Sequence, residues 1–409
     1  MNHKYAIAII NPISSANEYN LKISESGYLP IAIYTGAIEH QQYKRFVDTS
    51  SFDMAIFADD INDVIEKLSS FNILAVIPGS DCGIEYADKL ARHFKTCGNN
   101  PGSWLKRFDK FSAIAALREV GLYKGYSLEI PKHLPPQDSS LTSEIVYPCV
   151  IKRSQGTGAL GVKICHSYDE LVKAVDENLE FTESSDEVVF VEKYALGMEF
   201  SATLINEGAE APRRLLCLMA YEKYPDKIFP GIYKTISSIS VKSDFALECL
   251  NFCSQVNAAL EFNYGINDIE FKYDSGEFYF IEQNGRLPGA NTPNLISAST
   301  NVDCYIENIK IYSGLKSFDE IIQTSFFSVV FIPNYKTAEI KAVRGLNEIK
   351  RLPSYYSHKT YLEPGKIAES TSNFMNTALQ ISLLSENPLK LQDDIKIVCT
   401  LIHIEYANS

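Results

Sequence analysis

Apolar positions early in the chain fall in short continuous runs separated by longer polar stretches. The runs at 5–10, 29–34, 54–57 and 73–78 have the character of strands buried on both faces. The stretches between and after them, notably 60–69 and 82–93, are polar and helix-like, so the first hundred or so residues predict a parallel, Rossmann-like sheet. Asn11-Pro-Ile-Ser-Ser-Ala16 breaks the first strand, with Ser14 or Ser15 placed to cap a helix running to Glu25. Residues 104–121 read as one helix ended by Gly121, with Lys106, Arg107 and Lys110 in its first turns. Cations there oppose the helix macrodipole unless an anion compensates. A loop over 131–140, with Pro135-Pro136, follows.

The pattern then turns strand-rich. Strands are expected at 147–152 and 162–165, with a helix from about Tyr168. Another strand, from Glu187, runs into a bend at Gly197, and further strands lie at 201–205 and 215–221. Residues 222–234 read as a loop rich in Lys and Tyr, and 245–260 as a helix. Residues 295–313 are helical, 326–332 a strand, and 397–404 a closing strand, so the last segment reads as a β-rich cover.

Candidate chemistry concentrates in the hairpin of residues 266–273 and 277–283, with Asp274-Ser-Gly276 as turn. A three-residue loop, Ser275 to Glu277, pairs Asp274 with Phe278 and brings Glu270 opposite Glu282. Both carboxylates then share one face, with Asn284 two residues further along it. Like charges directly opposite are destabilising, so such a face calls for a cation. Two carboxylates and an amide oxygen are hard ligands suited to Mg²⁺ carrying phosphates. A solvated acidic hairpin is the plain alternative. Arg286, in Asn284-Gly-Arg-Leu-Pro-Gly289, adds a fixed cation at the end of the acidic strand.

Upstream, Lys152 ends a strand and is followed by Arg153-Ser-Gln-Gly-Thr-Gly-Ala-Leu-Gly-Val162, in which Gly156, Gly158 and Gly161 have Gly-x-Gly-x-x-Gly spacing. A dinucleotide loop must open a helix, whereas a strand follows here. That order fits a flap over phosphates better than a Rossmann fingerprint, and a plain glycine-rich hairpin is the alternative. No such fingerprint follows the first strand, which disfavours a dehydrogenase. Pro78-Gly-Ser-Asp-Cys-Gly-Ile-Glu85 follows the fourth strand, where open sheets bind ligands, and serves either as a turn or as an anion contact.

Composition narrows the classes. The chain has 409 residues, enough for two or three packed units, with 45% hydrophobic and 22% charged residues. A formal net charge of -13 argues against a general nucleic-acid binder. Neither a leader nor a membrane span is read, and nine cysteines without a Cys-x-x-Cys pair point to free thiols and a cytoplasmic protein. Cys249 and Cys253 lack a histidine to complete a zinc set, and His358 and His403 stand alone.

Taken in order, these motifs resemble the ATP-grasp superfamily over about residues 1–300, nearest in motif to the ATP-dependent L-amino-acid (dipeptide) ligases. The resemblance implies an α/β, ATP-grasp fold: a Rossmann-like pre-ATP-grasp domain at 1–124, a glycine-flap subdomain at 125–198, and a C-terminal antiparallel sheet domain at 199–409 with the cover from about 325. It also implies ATP contacts from Lys110, Lys152, Ser154, Gly156 and Gly158. Backbone from Glu192 through Lys193 and Tyr194 to Ala195 would meet adenine, Glu199 the ribose and Lys223 the phosphates. No histidine follows Gly231, where relatives often carry one, which weakens the assignment of Lys223. The metal, Mg²⁺ or Mn²⁺, falls to Glu270, Glu282 and Asn284, and catalysis to Arg286. The implied reaction is ADP-forming: a carboxylate becomes an acyl-phosphate and is joined to an amine, with amino acids as the expected substrates and a homodimer as the expected assembly. Bicarbonate activation, a purine-pathway amide synthesis and a non-catalytic nucleotide sensor are the alternatives. Neither the acid nor the amine is legible from residue types, because pocket walls come from scattered loops.

Overall fold

The computed structural model describes residues 5–39, 41–44, 47–131, 142–156, 161–180, 187–225, 228–229, 231–317, 320–372 and 376–407. Gly158 and the loop of 132–141 lie outside the described residues.

Four parallel strands open the chain: β1 (Ala6–Ile10), β2 (Leu29–Tyr34), β3 (Ala55–Phe57) and β4 (Ile73–Pro78), in the order β3-β2-β1-β4. Helices α1 (Tyr19–Glu25), α2 (Ile61–Leu68) and α3 (Ile84–Phe94) lie between and after them. Every β1 residue is buried, with Ile7 and Ile9 in one core and Ala8 and Ile10 in another, as a sheet covered on both faces requires. Neither Ser14 nor Ser15 caps α1. Residues Ser14–Glu18 form a 3-10 turn in which Ser14 takes φ 56°, and the Ser15 hydroxyl donates to the Pro288 carbonyl at 3.2 Å.

The helix expected at 104–121 is broken in two, α4 (Trp104–Phe108) and α5 (Lys110–Glu119). Asp109 makes the break: its extended backbone ends α4, and its carboxylate accepts from the Ser112 amide at 2.8 Å as the cap of α5. Lys110 therefore begins a helix. The expected anions are present. Lys106 meets Glu261 at 2.9 Å, Lys110 meets Glu282 at 2.9 Å, and the fully buried Arg107 meets Asp88 at 2.6 Å.

A small antiparallel sheet follows, made of β5 (Ser127–Glu129), β6 (Cys149–Arg153), β7 (Lys163–Cys165) and β8 (Val189–Lys193) in the order β5-β8-β6-β7. Helix α6 (Tyr168–Glu180) packs on it through Leu171, Ala174 and Val175. Gly197, at φ +99°, turns the chain into the large sheet.

That sheet contains β9 (Met198–Glu207), β10 (Arg214–Lys223), β11 (Tyr233–Ile239), β12 (Tyr264–Asp274) and β13 (Glu277–Asn284), with α7 (Asp244–Ala259) before β12. Both ends of the expected 222–234 loop are paired strand, since Lys223 lies opposite Tyr233. After α8 (Thr292–Ser299) and α9 (Cys304–Tyr312) come β14 (Phe326–Ile332), β15 (Ala338–Arg344), β16 (Tyr355–Thr360), β17 (Ile367–Ala368) and β18 (Leu379–Ser385). The last segment is more than a cover: β14, β18 and β16 continue the sheet, whose order is β13-β12-β9-β10-β11-β14-β18-β16. The closing strand is shorter than expected. Residues Pro388–Leu401 form helix α10, and only β19 (His403–Tyr406) is strand. Asn387 caps α10 on the amides of Leu389 and Lys390, and Leu391, Asp394 and Val398 recur at helical spacing on its buried face, which overrides the β-branched run.

In the β12–β13 hairpin the turn has two residues, Ser275 (φ 50°) and Gly276 (φ +89°), so Asp274 pairs with Glu277 rather than Phe278. A bulge at Ile281 absorbs the difference, because Phe271 pairs with Phe280 and Glu270 with Glu282. The expected carboxylate pairing is therefore present, with a different turn.

The two glycines differ in what surrounds them. A Cβ at Gly276 meets nothing within 4 Å, whereas one at Gly197 lands on the Tyr273 carbonyl. Gly276→Ala is expected to cost only the left-handed penalty of about 1–2 kcal/mol. Gly197→Ala adds a backbone collision and should cost about 3 kcal/mol or more. Urea melts of the two variants check this, and equal losses would show that the bend at Gly197 relaxes freely.

Candidate active site

Alternation along β9, β12 and β13 puts one set of polar side chains on a single face of the large sheet. Register pairs Lys272 with Glu199, Glu270 with Ser201 and Asp268 with Thr203, and on the other side Glu270 with Glu282 and Asp268 with Asn284. This face floors a cavity of about 1080 Å³, walled by the small antiparallel sheet on one side and by the loops after β4 and β13 on another.

Burial pushes the Glu270 carboxyl well above the usual carboxylate range, and Glu282 across the ladder adds to the rise. Burial acts on Glu282 in the same sense, but Lys110, then Lys152 and Arg286, hold it below its ordinary value. The Lys110 ammonium also donates to the Gly156 carbonyl at 2.6 Å, joining the segment after β6 to the acidic face. Among the described residues no three His, Cys, Asp or Glu side chains group as a metal site. Two carboxylates with Asn284 still fit Mg²⁺, which ordinarily takes one or two carboxylates and fills its shell with phosphate and water oxygens.

Lys152 is nearly buried and meets Glu192 at 2.8 Å, and Glu192 also accepts from the Tyr123 hydroxyl at 3.2 Å. Lys193, Tyr194 and Ala195 line the cavity, where the Lys193 amide donates to the Tyr126 carbonyl at 3.2 Å. Both Glu199 oxygens are engaged, one by Lys223 at 2.7 Å and the other by Tyr233 at 2.6 Å. Ser154 is not in the cavity wall. It is fully buried, and its backbone ties Lys110 and Val188 to the end of β6.

Arg286 donates to Asp81 at 2.8 Å, to the Leu287 carbonyl at 2.8 Å and to Asn284 at 3.4 Å. Asp81 belongs to the loop after β4, so this bond joins the parallel-sheet unit to the end of the acidic strand. Glu282 is not among the hydrogen-bond partners of Arg286. Several lining residues escaped sequence reasoning, namely Asp81 as a partner, Asp268, Lys272 and Tyr233. Lys272 donates to the Ala195 carbonyl at 2.7 Å and lies over the Tyr194 ring at 4.5 Å. Asp268 and Lys272 flank Glu270 at two-residue spacing, so strand alternation alone would have found both. Burial raises the Asp268 carboxyl to about 6, against the lowering effect of its Ser201 and Thr203 hydrogen bonds.

A parallel-sheet unit, a small antiparallel sheet and a large antiparallel sheet around one acidic cavity define an ATP-grasp fold. Residues 145–294 match the ATP-grasp domain family. The crystal structure of an L-amino acid ligase from Bacillus licheniformis superposes with a TM-score of 0.82 over 100% of both chains, at 15% identity. Biotin carboxylase of Haemophilus influenzae is 27% identical over 222 residues, 51% of this chain and 46% of that protein. D-alanine–D-alanine ligase of Thermotoga petrophila is 23% identical over 281 residues, 63% of this chain and 84% of that protein. The chain thus spans about half the length of the carboxylase relative it matches. No helix among the described residues is long and apolar enough to cross a membrane.

The Lys152–Glu192 pair sets a condition on any test of the lysine. Removing one partner of a buried pair costs about 3–5 kcal/mol, because the other charge is stranded. Lys152→Ala should therefore lower melting temperature and ATP affinity together. In a Glu192→Gln background the same change should cost little further stability but still weaken ATP, as calorimetry and thermal melts will read. Unchanged ATP affinity in that background would leave Lys152 only the role of holding Glu192.

Proposed function

We propose that the protein is an ADP-forming carboxylate–amine ligase that activates a carboxylate, an amino acid in the first instance, and joins it to an amine as a dipeptide or amide. The observation that carries this reading is the Arg286–Asp81 bond at the end of the Glu282–Asn284 segment. It sets a permanent cation, reached from a second unit of the fold, beside the face that would hold the phosphates. A nucleotide sensor has no need of that cation. The alignments with an amino-acid ligase, a D-alanine–D-alanine ligase and a biotin carboxylase support the class and leave the substrates open.

In this reading Glu270, Glu282 and Asn284 hold Mg²⁺, which would neutralise the β- and γ-phosphates. Lys110 and Lys152 lie beside the same face and contribute fixed positive charge to phosphoryl transfer. Lys110 must exchange Glu282 for phosphate oxygen, and Lys223 must release Glu199 if Glu199 is to meet the ribose. The substrate carboxylate attacks the γ-phosphorus, ADP leaves, and the amine then attacks the acyl carbon and expels phosphate. Arg286 faces the oxyanion that forms in that second step, where a guanidinium keeps its proton and offers several donors. Gly156, held by Lys110, begins the flap that would exclude water from the acyl-phosphate.

We assign the units as 1–124, 125–198 and 199–409, and take amino acids, a homodimer and the cytoplasm as the accompanying expectations. The identity with biotin carboxylase favours a second reading in which bicarbonate is the carboxylate. Phosphate release that requires bicarbonate rather than an amino acid would select it.

Glu282→Gln should abolish Mg²⁺-dependent turnover while the fold persists, because half the charge offered to the metal is gone. Activity near wild type would remove the metal assignment. Arg286→Ala should lower kcat by about 10²–10³ and leave the ATP Kd within a few-fold, as expected for a group acting in the transition state. If melting temperature and ATP affinity fall together with activity, Arg286 instead serves as the tie to Asp81.

A further inference from the structure

Asp268 is given no role by the reading above. It is 2% exposed, yet it lines the cavity two residues before Glu270 on the same strand. Its Oδ1 accepts from the Ser201 hydroxyl at 2.5 Å and the Thr203 hydroxyl at 2.9 Å. Two neutral hydroxyls on one oxygen place the carboxylate and leave Oδ2 free: among the described residues no group donates to it. The nearby cations are committed elsewhere, Arg286 to Asp81 and Lys110 to Glu282 and Gly156. Glu270 and Glu282 on the same face add only like charge. Arg286 acts on Asp268 through its charge but donates to Asp81 instead, and a buried carboxylate with one open oxygen and no cation hydrogen-bonded to it is costly unless a ligand supplies the positive charge.

Position identifies that ligand. Asp268 lies across the ladder from Asn284, between the metal-binding carboxylates and the loop of Arg286. On the ligase reading the carboxyl is activated beside Glu270 and Glu282, two residues along β12 from Asp268. We propose that Asp268 collects the acceptor amine as its ammonium ion, which gives one proton to solvent water before the freed lone pair attacks the acyl carbon and expels phosphate, so that the site selects primary ammonium compounds over neutral nucleophiles. A compact ammonium offers three donors and matches a single open carboxylate oxygen. Ser201 and Thr203 are the positioning residues. The inference rests on the ligase reading.

Asp268→Asn keeps an oxygen for both hydroxyls and removes the charge. Hydroxylamine, uncharged near neutrality, intercepts an acyl-phosphate as a hydroxamate without any need for an ammonium site. Each of the twenty L-amino acids is offered as the carboxylate, with hydroxylamine or a second amino acid as nucleophile. The expected result is a KM for the acceptor amino acid raised about tenfold or more, the loss of a charge-assisted hydrogen bond. Hydroxamate formation, ATP and Mg²⁺ affinity and melting temperature should stay within about twofold of wild type on the same grounds. An unchanged acceptor KM overturns the inference. So does an equal loss of hydroxamate and amide, which would place Asp268 with the acid substrate, or a raised Mg²⁺ requirement, which would place it with the metal. If Asp268→Asn does not fold, the wild type decides: the α-hydroxy analogue of the acceptor should inhibit about tenfold more weakly than the amine binds, and equal binding overturns the inference. A wild type that forms neither hydroxamate nor amide with any of the twenty refutes the amino-acid form of the ligase reading, and with it the basis of the inference.

Discussion

Two carboxylates facing each other across one ladder position, Glu270 and Glu282, set the constraint on which the rest of the site depends. Two like charges about 4 Å apart repel by roughly 4 kcal/mol at an effective dielectric near 20. A fold that holds them half-buried must supply cations, and it does so from three directions. Lys110 comes from the break at Asp109, Lys152 from the end of β6, and Arg286 from the loop after β13. Each belongs to a different part of the chain, so the acidic face is also where a helix, the small sheet and the loop after the large sheet's hairpin meet. The balance is uneven: Glu282 is held charged, while Glu270 is pushed towards its neutral form. That asymmetry is what a bound divalent cation would relieve.

The same economy of charge recurs around the cavity. Glu199 is shared between Lys223 and Tyr233, and Glu192 between Lys152 and Tyr123. These ion pairs occupy the groups that the ligase reading assigns to nucleotide contacts. In that reading ATP binding is an exchange of partners, with phosphate replacing Glu282 at Lys110 and hydroxyls replacing cations at Glu199. An exchange costs less than stripping bare charges, because neither side is left buried without a partner.

Much of this architecture was legible in the residues. Continuous apolar runs located all four strands of the parallel sheet, and the β12–β13 hairpin was read to within one residue of its turn. The Glu270–Glu282 pairing came out as expected although the loop length did not, because the bulge at Ile281 compensates for the shorter turn. A bulge has no residue signature strong enough to read in advance. The break at Asp109 was missed since Asp inside an amphipathic run looks like one more polar position until its carboxylate is seen capping α5. The helix at Pro388–Leu401 was read partly as strand, since its β-branched end outweighed the Asn-Pro cap at its start. Contacts between distant segments, such as Arg286 with Asp81 or Ser15 with Pro288, lie wholly outside pattern reading. They depend on how the units dock.

The most direct test of the account follows the oxygen atoms. A carboxylate substrate labelled with ¹⁸O in both positions is incubated with the protein, Mg-ATP and an amine, and the released phosphate is examined by mass spectrometry. Activation through an acyl-phosphate transfers one labelled oxygen to phosphate for each amide formed. Phosphate released without label, with ATP consumed at the same rate whether or not the carboxylate is present, would contradict the ligase chemistry.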